Sequence, residues 1–403
     1  MNKFTQNLFL VIYPFYPLWA WITVSFLNLP ADKVLILVVL PILIYNIWNR
    51  KIKVPVYLGL FILFTLVHLY TVFANNTIPD NTTTLLFFFS DFNILACVLF
   101  LIVESTDFDD EFIKKMNRHL LWIVGLSLVV SLIQIKDTSF FYNTKLDEGD
   151  AFSIGDSRNT SIYSWIDANS GGITFPIMIS ILLNVYDTSS KPFSFITLSG
   201  VVVTFLTKAR YVMLSTIIAF SQLLLVKTIS LQKKLFVLFF FIIGIFMILL
   251  VSEMAGYDIQ STIDERILEK GSDMESAKAR VHSYEVFKLK FPENPYFGVG
   301  PKTRDDVIDL MDGQAMVIHV GYLAYLYYYG AFGAGLLFLA LFFLIRDAWI
   351  VGKRYEFWGS FYGFLGFALA NATFIYFNFN EMGIVLAVIY MRYYKTNSER
   401  LYV

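Results

Sequence analysis

Apolar residues along the chain come in long runs separated by short polar links. As α-helix, about 20 residues rise about 30 Å, the thickness of a bilayer's hydrocarbon. On that measure the pattern predicts twelve helices, over 7–27, 32–48, 55–74, 84–104, 119–135, 162–186, 193–207, 211–229, 235–255, 318–345, 359–378 and 381–394. The seventh and twelfth runs are short, which sets the expected number of crossings at ten to twelve. Pro14, Pro17, Pro41 and Pro176 fall inside runs, where neighbouring membrane helices can re-satisfy the backbone groups that a proline frees. The alternating ten-residue stretches of an outer-membrane barrel are absent. The expected fold is all-α and polytopic. Helices one to nine occupy 1–255, a long polar loop 256–317, and three more helices with a tail 318–403.

Composition sharpens this reading. The chain is 57% hydrophobic and 16% charged, against about 45–50% and about 25% in soluble domains. That excludes a soluble enzyme, a disordered scaffold and a fibrous repeat. The single cysteine, Cys97, lies inside an apolar run, so no disulfide framework or cysteine metal site is expected. Four scattered histidines and no carboxylate pair at ligand spacing give no reason to expect a metal. A net charge of −1 gives none to expect nucleic acid. Lys3 precedes an uninterrupted apolar run with no small-residue cleavage site, which reads as a retained first span.

Basic residues in short links orient the helices. Arg50, Lys51 and Lys53, then Lys114, Lys115 and Arg118, then Lys191, Lys227, Lys233 and Lys234 follow alternate spans. Arg346, Lys353 and Arg354, and finally Arg392, Lys395 and Arg400, continue the alternation. Both termini are therefore expected in the cytoplasm. Two long polar segments, 136–161 and 256–317, then face outward, and the second carries eight Lys or Arg and twelve Asp or Glu. Long loops of this kind are usually functional, so the chemistry is expected on the outer face.

Three outer constellations stand out. Ala279-Arg280-Val281-His282-Ser283-Tyr284-Glu285-Val286-Phe287 leads into Pro292-Glu293-Asn294-Pro295-Tyr296-Phe297-Gly298-Val299-Gly300. Ser276 as N-cap and Pro292 as stop predict a helix with Arg280, Tyr284, Phe287 and Phe291 on one face and His282 turned towards Glu285. The same helix also reads as a surface element whose Arg snorkels beside headgroups. Lys208 and Arg210 share a tight outer hairpin, either as an interfacial anchor with Tyr211 or as an anion site, for which the guanidinium fork is suited. His319 opens the tenth span, as a structural residue or as a proton acceptor near neutral pH. Inside the membrane, His68 and Asp91 fall in spans three and four, either paired with each other or lining a cavity.

These residues resemble a known family. An Arg in an outer link, an outer loop reading Arg…Asn-Pro-x-x-Gly-x-Gly, and a His opening the next span before Tyr-Gly-x-x-Gly recur in the O-antigen polymerase and O-antigen ligase superfamily of bacterial envelopes. Here they are Arg210, then Arg280 with Asn294 to Gly300, then His319 with Tyr329-Gly330-Ala331-Phe332-Gly333. Asp167-Ala168-Asn169 is similar to the family's Asp-Pro-Asn, with Ala168 where Pro is usual, and Val320 stands where Asn commonly follows the His. The resemblance covers about residues 160–345.

It implies a GT-C-like protein of the bacterial inner membrane that moves glycan from undecaprenyl pyrophosphate to a hydroxyl on the outer side, without a cofactor. Arg210 and Arg280 would stabilise the pyrophosphate leaving group, and His319 would act as general base, with Glu285 or Asp167 as alternatives. Lys208, Arg158, Asn169, Tyr284, Gly298, Gly300 and Tyr322 complete the implied substrate-binding set. The implied partners are the lipid-linked oligosaccharide, membrane lipids, and a chain-length regulator and flippase of the same pathway. A polymerase of surface polysaccharide is the leading expectation, because polymerases are the more diverse branch. A ligase to lipid A-core is the alternative, and a lipid-linked oligosaccharide flippase the reading from another class. Against the flippase, the chain has no internal repeat and gathers its polar residues in one outer loop.

Overall fold

The computed structural model describes residues 2–27, 31–49, 51–75, 91–137, 139–141, 160–163, 168–207, 209–225, 230–232, 234–235, 239, 274–302, 304–312, 318, 320–372, 379 and 381–399. The side chains of 31–33, 168–172, 210, 274–279, 304–305 and 397–399 are not among them. Among these residues there are helices and turns and no strand. In chain order the helices are α1 (Asn2–Ile12), α2 (Tyr16–Leu27), α3 (Ala31–Trp48), α4 (Val56–Ala74), α5 (Phe92–Ser105), α6 (Asp110–Ile133) and α7 (Ala168–Val185). They continue as α8 (Lys191–Leu206), α9 (Arg210–Leu225), α10 (Met274–Lys290), α11 (Arg304–Leu310), α12 (Gly321–Tyr355), α13 (Gly359–Ala370) and α14 (Met382–Glu399).

Most boundaries follow the apolar runs, and the departures have local causes. The first run bends by 72° between α1 and α2. Pro14 has no N–H to give the Leu10 carbonyl four residues back. His119 Nδ1 instead lies 3.1 Å from that oxygen, and the Trp19 indole donates to the Val11 carbonyl at 3.2 Å. A cavity of about 270 Å³ opens beside the bend, lined by Leu10, Val11, Phe15, Trp19 and His119 among others. Helix α6 starts at Asp110 rather than 119, because the Asp109 carboxylate caps it by accepting from the Phe112 N–H at 2.8 Å. Helix α5 starts at Phe92, with Asp91 as its cap, and residues 84–90 of the expected span lie outside the described residues. The expected span 235–255 lies almost wholly outside the described residues.

Three of the described helices, α4, α6 and α12, are each long and apolar enough to cross a membrane, and the bent α1–α2 pair makes a fourth if it is one span. The other apolar helices are shorter, so length among the described residues qualifies fewer crossings than the ten to twelve expected. Polarity runs inside out. On α4, Leu63, Leu66 and Tyr70 are exposed while Thr65, His68 and Thr71 are buried. On α9, Leu214, Ile217 and Leu224 are exposed while Ser215, Thr216 and Gln222 are buried. A bundle with this distribution is suited to hydrocarbon as its surroundings.

Small residues let the helices meet backbone to backbone, as in membrane bundles generally. A Cβ on Gly359 of α13 would lie 2.8 Å from the Ile181 Cα of α7, and one on Gly383 of α14 would lie 2.8 Å from the Thr174 Cα. Ser360 Oγ donates to the Ala387 carbonyl at 2.7 Å and ties α13 to α14. Gly359→Val is expected to wedge α7 from α13 at a cost of about 1–3 kcal/mol or more. A reduced folded peak on size exclusion of detergent-purified protein would report it, and an unchanged peak would contradict the close approach.

At one end of the bundle, segments distant in sequence meet through polar side chains. The Tyr57 hydroxyl donates to Glu104 at 2.8 Å, and the Asn2 and Gln6 amides donate to the Asp107 carbonyl at 2.8 and 2.6 Å. Arg392 reaches Asp107 at 3.5 Å, Lys395 reaches Asp347 at 2.9 Å, and the Tyr393 hydroxyl donates to Asp110 at 2.9 Å. Helix α4 leaves this end and reaches the opposite one at Asn75, where the site lies.

Candidate functional site

The site is built on a break in α12. Gly330 sits at φ 63°, ψ −175°, inside the helix, a region that is essentially open to glycine alone. A helix interrupted this way exposes carbonyls on its first half and N–H groups on its second. The loop 295–300 supplies partners for both. Val299 N–H donates to the Tyr327 carbonyl at 3.2 Å and Gly300 N–H to the Tyr328 carbonyl at 2.8 Å. In return, Ala331 N–H donates to Pro295 at 2.8 Å and Phe332 N–H to Tyr296 at 3.0 Å. Four backbone bonds thus thread the Asn-Pro-Tyr-Phe-Gly-Val-Gly segment through the gap.

That close approach explains the glycines. Gly298, at φ 69°, would place a Cβ 2.4 Å from the Tyr328 carbonyl carbon, and Gly330 would place one 2.3 Å from that of Tyr296. Each glycine lies on the other segment's backbone. Gly300, at φ 78°, rests on the end of α4, where its Cβ would fall 2.8 Å from Asn75 Nδ2. Gly298 and Gly300, expected to contact substrate, therefore have a structural role that the geometry accounts for directly.

Beneath the break lies a buried polar chain. His68 Nε2 is 2.6 Å from Asp91 Oδ2, and His68 Nδ1 is 2.8 Å from the Tyr329 hydroxyl. The other Asp91 oxygen accepts the Asn93 and Ile94 N–H groups at 2.9 and 3.0 Å, capping α5. All three residues are buried. The pairing of His68 with Asp91 is the one the sequence offers, but Asp91 is a helix cap rather than a mid-span residue. Tyr329, the third member, opens the Tyr329-Gly330-Ala331-Phe332-Gly333 motif, but nothing in the sequence places it against His68.

Helices α10 and α11 and the 3-10 turn Phe291–Glu293 belong to the long polar loop. Val286, Val307, Met311, Ile318, Ala324 and Tyr327 form a second small core that fixes α10 and α11 to the first half of α12. Arg280 is half-buried on α10, and that burial lowers its pKa from the ordinary value, although a guanidinium stays protonated at neutral pH. His282 stands 3.8 Å from Glu285 and 3.7 Å from Asp312, linking α10 to the end of α11. Arg280, Tyr284 and Phe287 keep the helical spacing that sets them along one side of α10, and Tyr284 points outward there. It is 61% exposed, while Ser283 and Val286 are the buried positions, because α10 turns their side onto α12. The Tyr322 hydroxyl donates to the Ala368 carbonyl at 2.7 Å and so anchors α12 to α13.

Of the remaining candidates, Arg158, Lys208, His319 and Asp167 lie outside the described residues, and only the backbone of Arg210 and Asn169 is described. His319's neighbours are placed: Ile318 is buried in the small core and Val320 is the N-cap of α12. Among the described residues no group of His, Cys, Asp and Glu could hold a metal ion. Neither a family model nor a curated protein matches the chain. What the site can do must therefore be read from its geometry and from the motifs it is made of.

Proposed function

We propose that this chain is a bacterial surface-polysaccharide polymerase, extending a glycan carried on undecaprenyl pyrophosphate at the outer side of the inner membrane. The observation that carries the reading is the joint at Gly330. Two of the short motifs shared with the O-antigen polymerase and ligase superfamily, Asn294 to Gly300 and Tyr329-Gly330, are bonded to each other through their backbones. They hold a cap that bears Arg280 and receives the residues flanking His319.

In this reaction the acceptor sugar's hydroxyl oxygen bonds to the anomeric carbon of the donor glycan. The bond from that carbon to the pyrophosphate oxygen breaks, and the pyrophosphate-lipid leaves with the electron pair. Arg280 and Arg210 offset the charge that grows on it, and the low-dielectric membrane rim strengthens them. His319 takes the hydroxyl proton, a contribution of about 10²–10⁴-fold where a general base is used. Both termini lie in the cytoplasm in this reading. It is supported by the polar cluster around Glu104, Asp107 and Arg392 at the end of the bundle away from the joint.

The test is an assay of the purified full chain in lipid nanodiscs with lipid-linked repeat units. Longer glycan on the same lipid is the expected product, and His319→Ala is expected to slow its formation by at least about 10²-fold. Transfer to lipid A-core would make the protein a ligase, and no transfer to either acceptor would remove the enzymatic reading.

A further inference from the structure

We propose that Tyr329, His68 and Asp91 form a positioning relay that sets the angle of the α12 break, and with it the pose of the cap that carries Arg280. Burying an imidazole and a carboxylate is costly unless both are bonded, and here both are. Capping α5 does not account for them. One Asp91 oxygen makes both capping bonds, and a serine would cap as well. Among the described residues, the second oxygen bonds His68 and nothing else.

Donor and acceptor chemistry gives the relay a direction. A carboxylate accepts only, so His68 donates from Nε2, and its Nδ1 in the neutral ring accepts the Tyr329 proton. A ring held at both nitrogens is fixed in tautomer and rotation. Tyr329 is held at its hydroxyl, and its ring packs edge-on to Phe64 at 5.1 Å between centroids. The next residue is Gly330, which has no side chain to select the backbone angle at the break. The two residues before Tyr329, Tyr327 and Tyr328, present the carbonyls that bind Val299 and Gly300. Fixing Tyr329 therefore orients both acceptors of the joint from α4 and from the start of α5.

The link from this relay to polymer formation rests on the proposed function, but the relay itself has a separate readout. Amide hydrogen exchange of the full chain in nanodiscs follows the joint peptides 295–300 and 327–332. Tyr329→Phe and Asp91→Ser are each expected to speed exchange there by at least about tenfold while leaving α7 and α13 unchanged. Asp91→Asn is expected to restore slow exchange. Its amide oxygen caps α5, and its N–H can donate to His68 Nε2, reversing the relay without breaking it. Wild-type exchange in Tyr329→Phe, or equal exchange in Asp91→Ser and Asp91→Asn, would overturn the proposal. In the polymer assay, Tyr329→Phe is expected to shorten the product at unchanged protein level. A loosened joint with full-length product would overturn the link to catalysis. If the wild type makes no polymer, the proposed function falls and the exchange result still decides the relay.

Discussion

Gly330→Ala is expected to abolish folded protein, whereas Gly335→Ala in the same helix is expected to be harmless. At φ 63°, ψ −175°, an alanine at 330 carries about 1–3 kcal/mol of backbone strain before any contact is counted. Its Cβ would also fall 2.3 Å from the Tyr296 carbonyl carbon. That neighbour is backbone and cannot rotate aside, so the loop must withdraw. Withdrawal breaks the four bonds that join 295–300 to 327–332, and each buried group left without a partner costs about 1–3 kcal/mol. The total exceeds about 4 kcal/mol, a large part of a typical stability of about 5–15 kcal/mol. Gly298→Ala should behave alike, because its Cβ meets the Tyr328 backbone at 2.4 Å. Gly300→Ala should be milder, since the nearest atom is the movable amide of Asn75 at 2.8 Å. A Cβ on Gly335 meets nothing within 4 Å, and a helical alanine there gains about 1 kcal/mol. Size exclusion of solubilised membranes after a heat step ranks the four variants. If Gly330→Ala melted with the wild type, the threaded joint would be wrong.

How much of this was legible depended on the range of the forces involved. Hydropathy located α3, α4 and α8 closely, because the transfer of a run from water depends on composition alone. It missed the starts of α5 and α6, where single carboxylates, Asp91 and Asp109, set the boundary through capping bonds that no window average registers. It also stopped α12 at 345. The helix continues to Tyr355 through Arg346, Asp347 and Lys353, and Asp347 is matched there by Lys395 of α14.

The site divides in the same way. Gly298, Gly300 and Gly330 were visible as a motif, but their meaning lies in a pairing between segments about 30 residues apart in sequence, which spacing cannot reveal. His68 and Asp91 could be paired because each is the outstanding polar residue of its run. The clamp of Asn184 and Ser180 on α7 with Gln222 on α9, which also holds the Trp358 N–H at the start of α13, was not anticipated, since three ordinary polar residues on two helices carry no shared pattern.

Under the proposed function, Arg280→Ala is expected to reduce glycan transfer by about 10²–10³-fold, the loss typical of removing a preorganised group that faces developing charge. The expectation follows from where this cation sits. Among the described side chains of α10, Lys288 and Lys290 are exposed, and Lys290 is paired with Glu293 at 3.1 Å. Arg280 is half-buried, and its burial lowers its pKa, so some of the charge's hydration has been given up before any substrate arrives. An anion of the pyrophosphate kind recovers that loss most as its charge grows, which places the benefit in the transition state rather than in binding. Turnover should therefore fall more than apparent affinity. Arg280→Lys keeps the charge but loses the fork that meets two phosphate oxygens at once, and should fall between alanine and wild type. Lys288→Ala should match the wild type. Because arginine stays protonated throughout the accessible range, the loss should be the same at pH 6 and pH 9, whereas a base such as His319 would impose a pH-dependent limb. Unchanged polymer length and yield in both Arg280→Ala and Arg210→Ala would remove the leaving-group role, and a loss that tracked reduced protein level would assign Arg280 to the cap's folding instead.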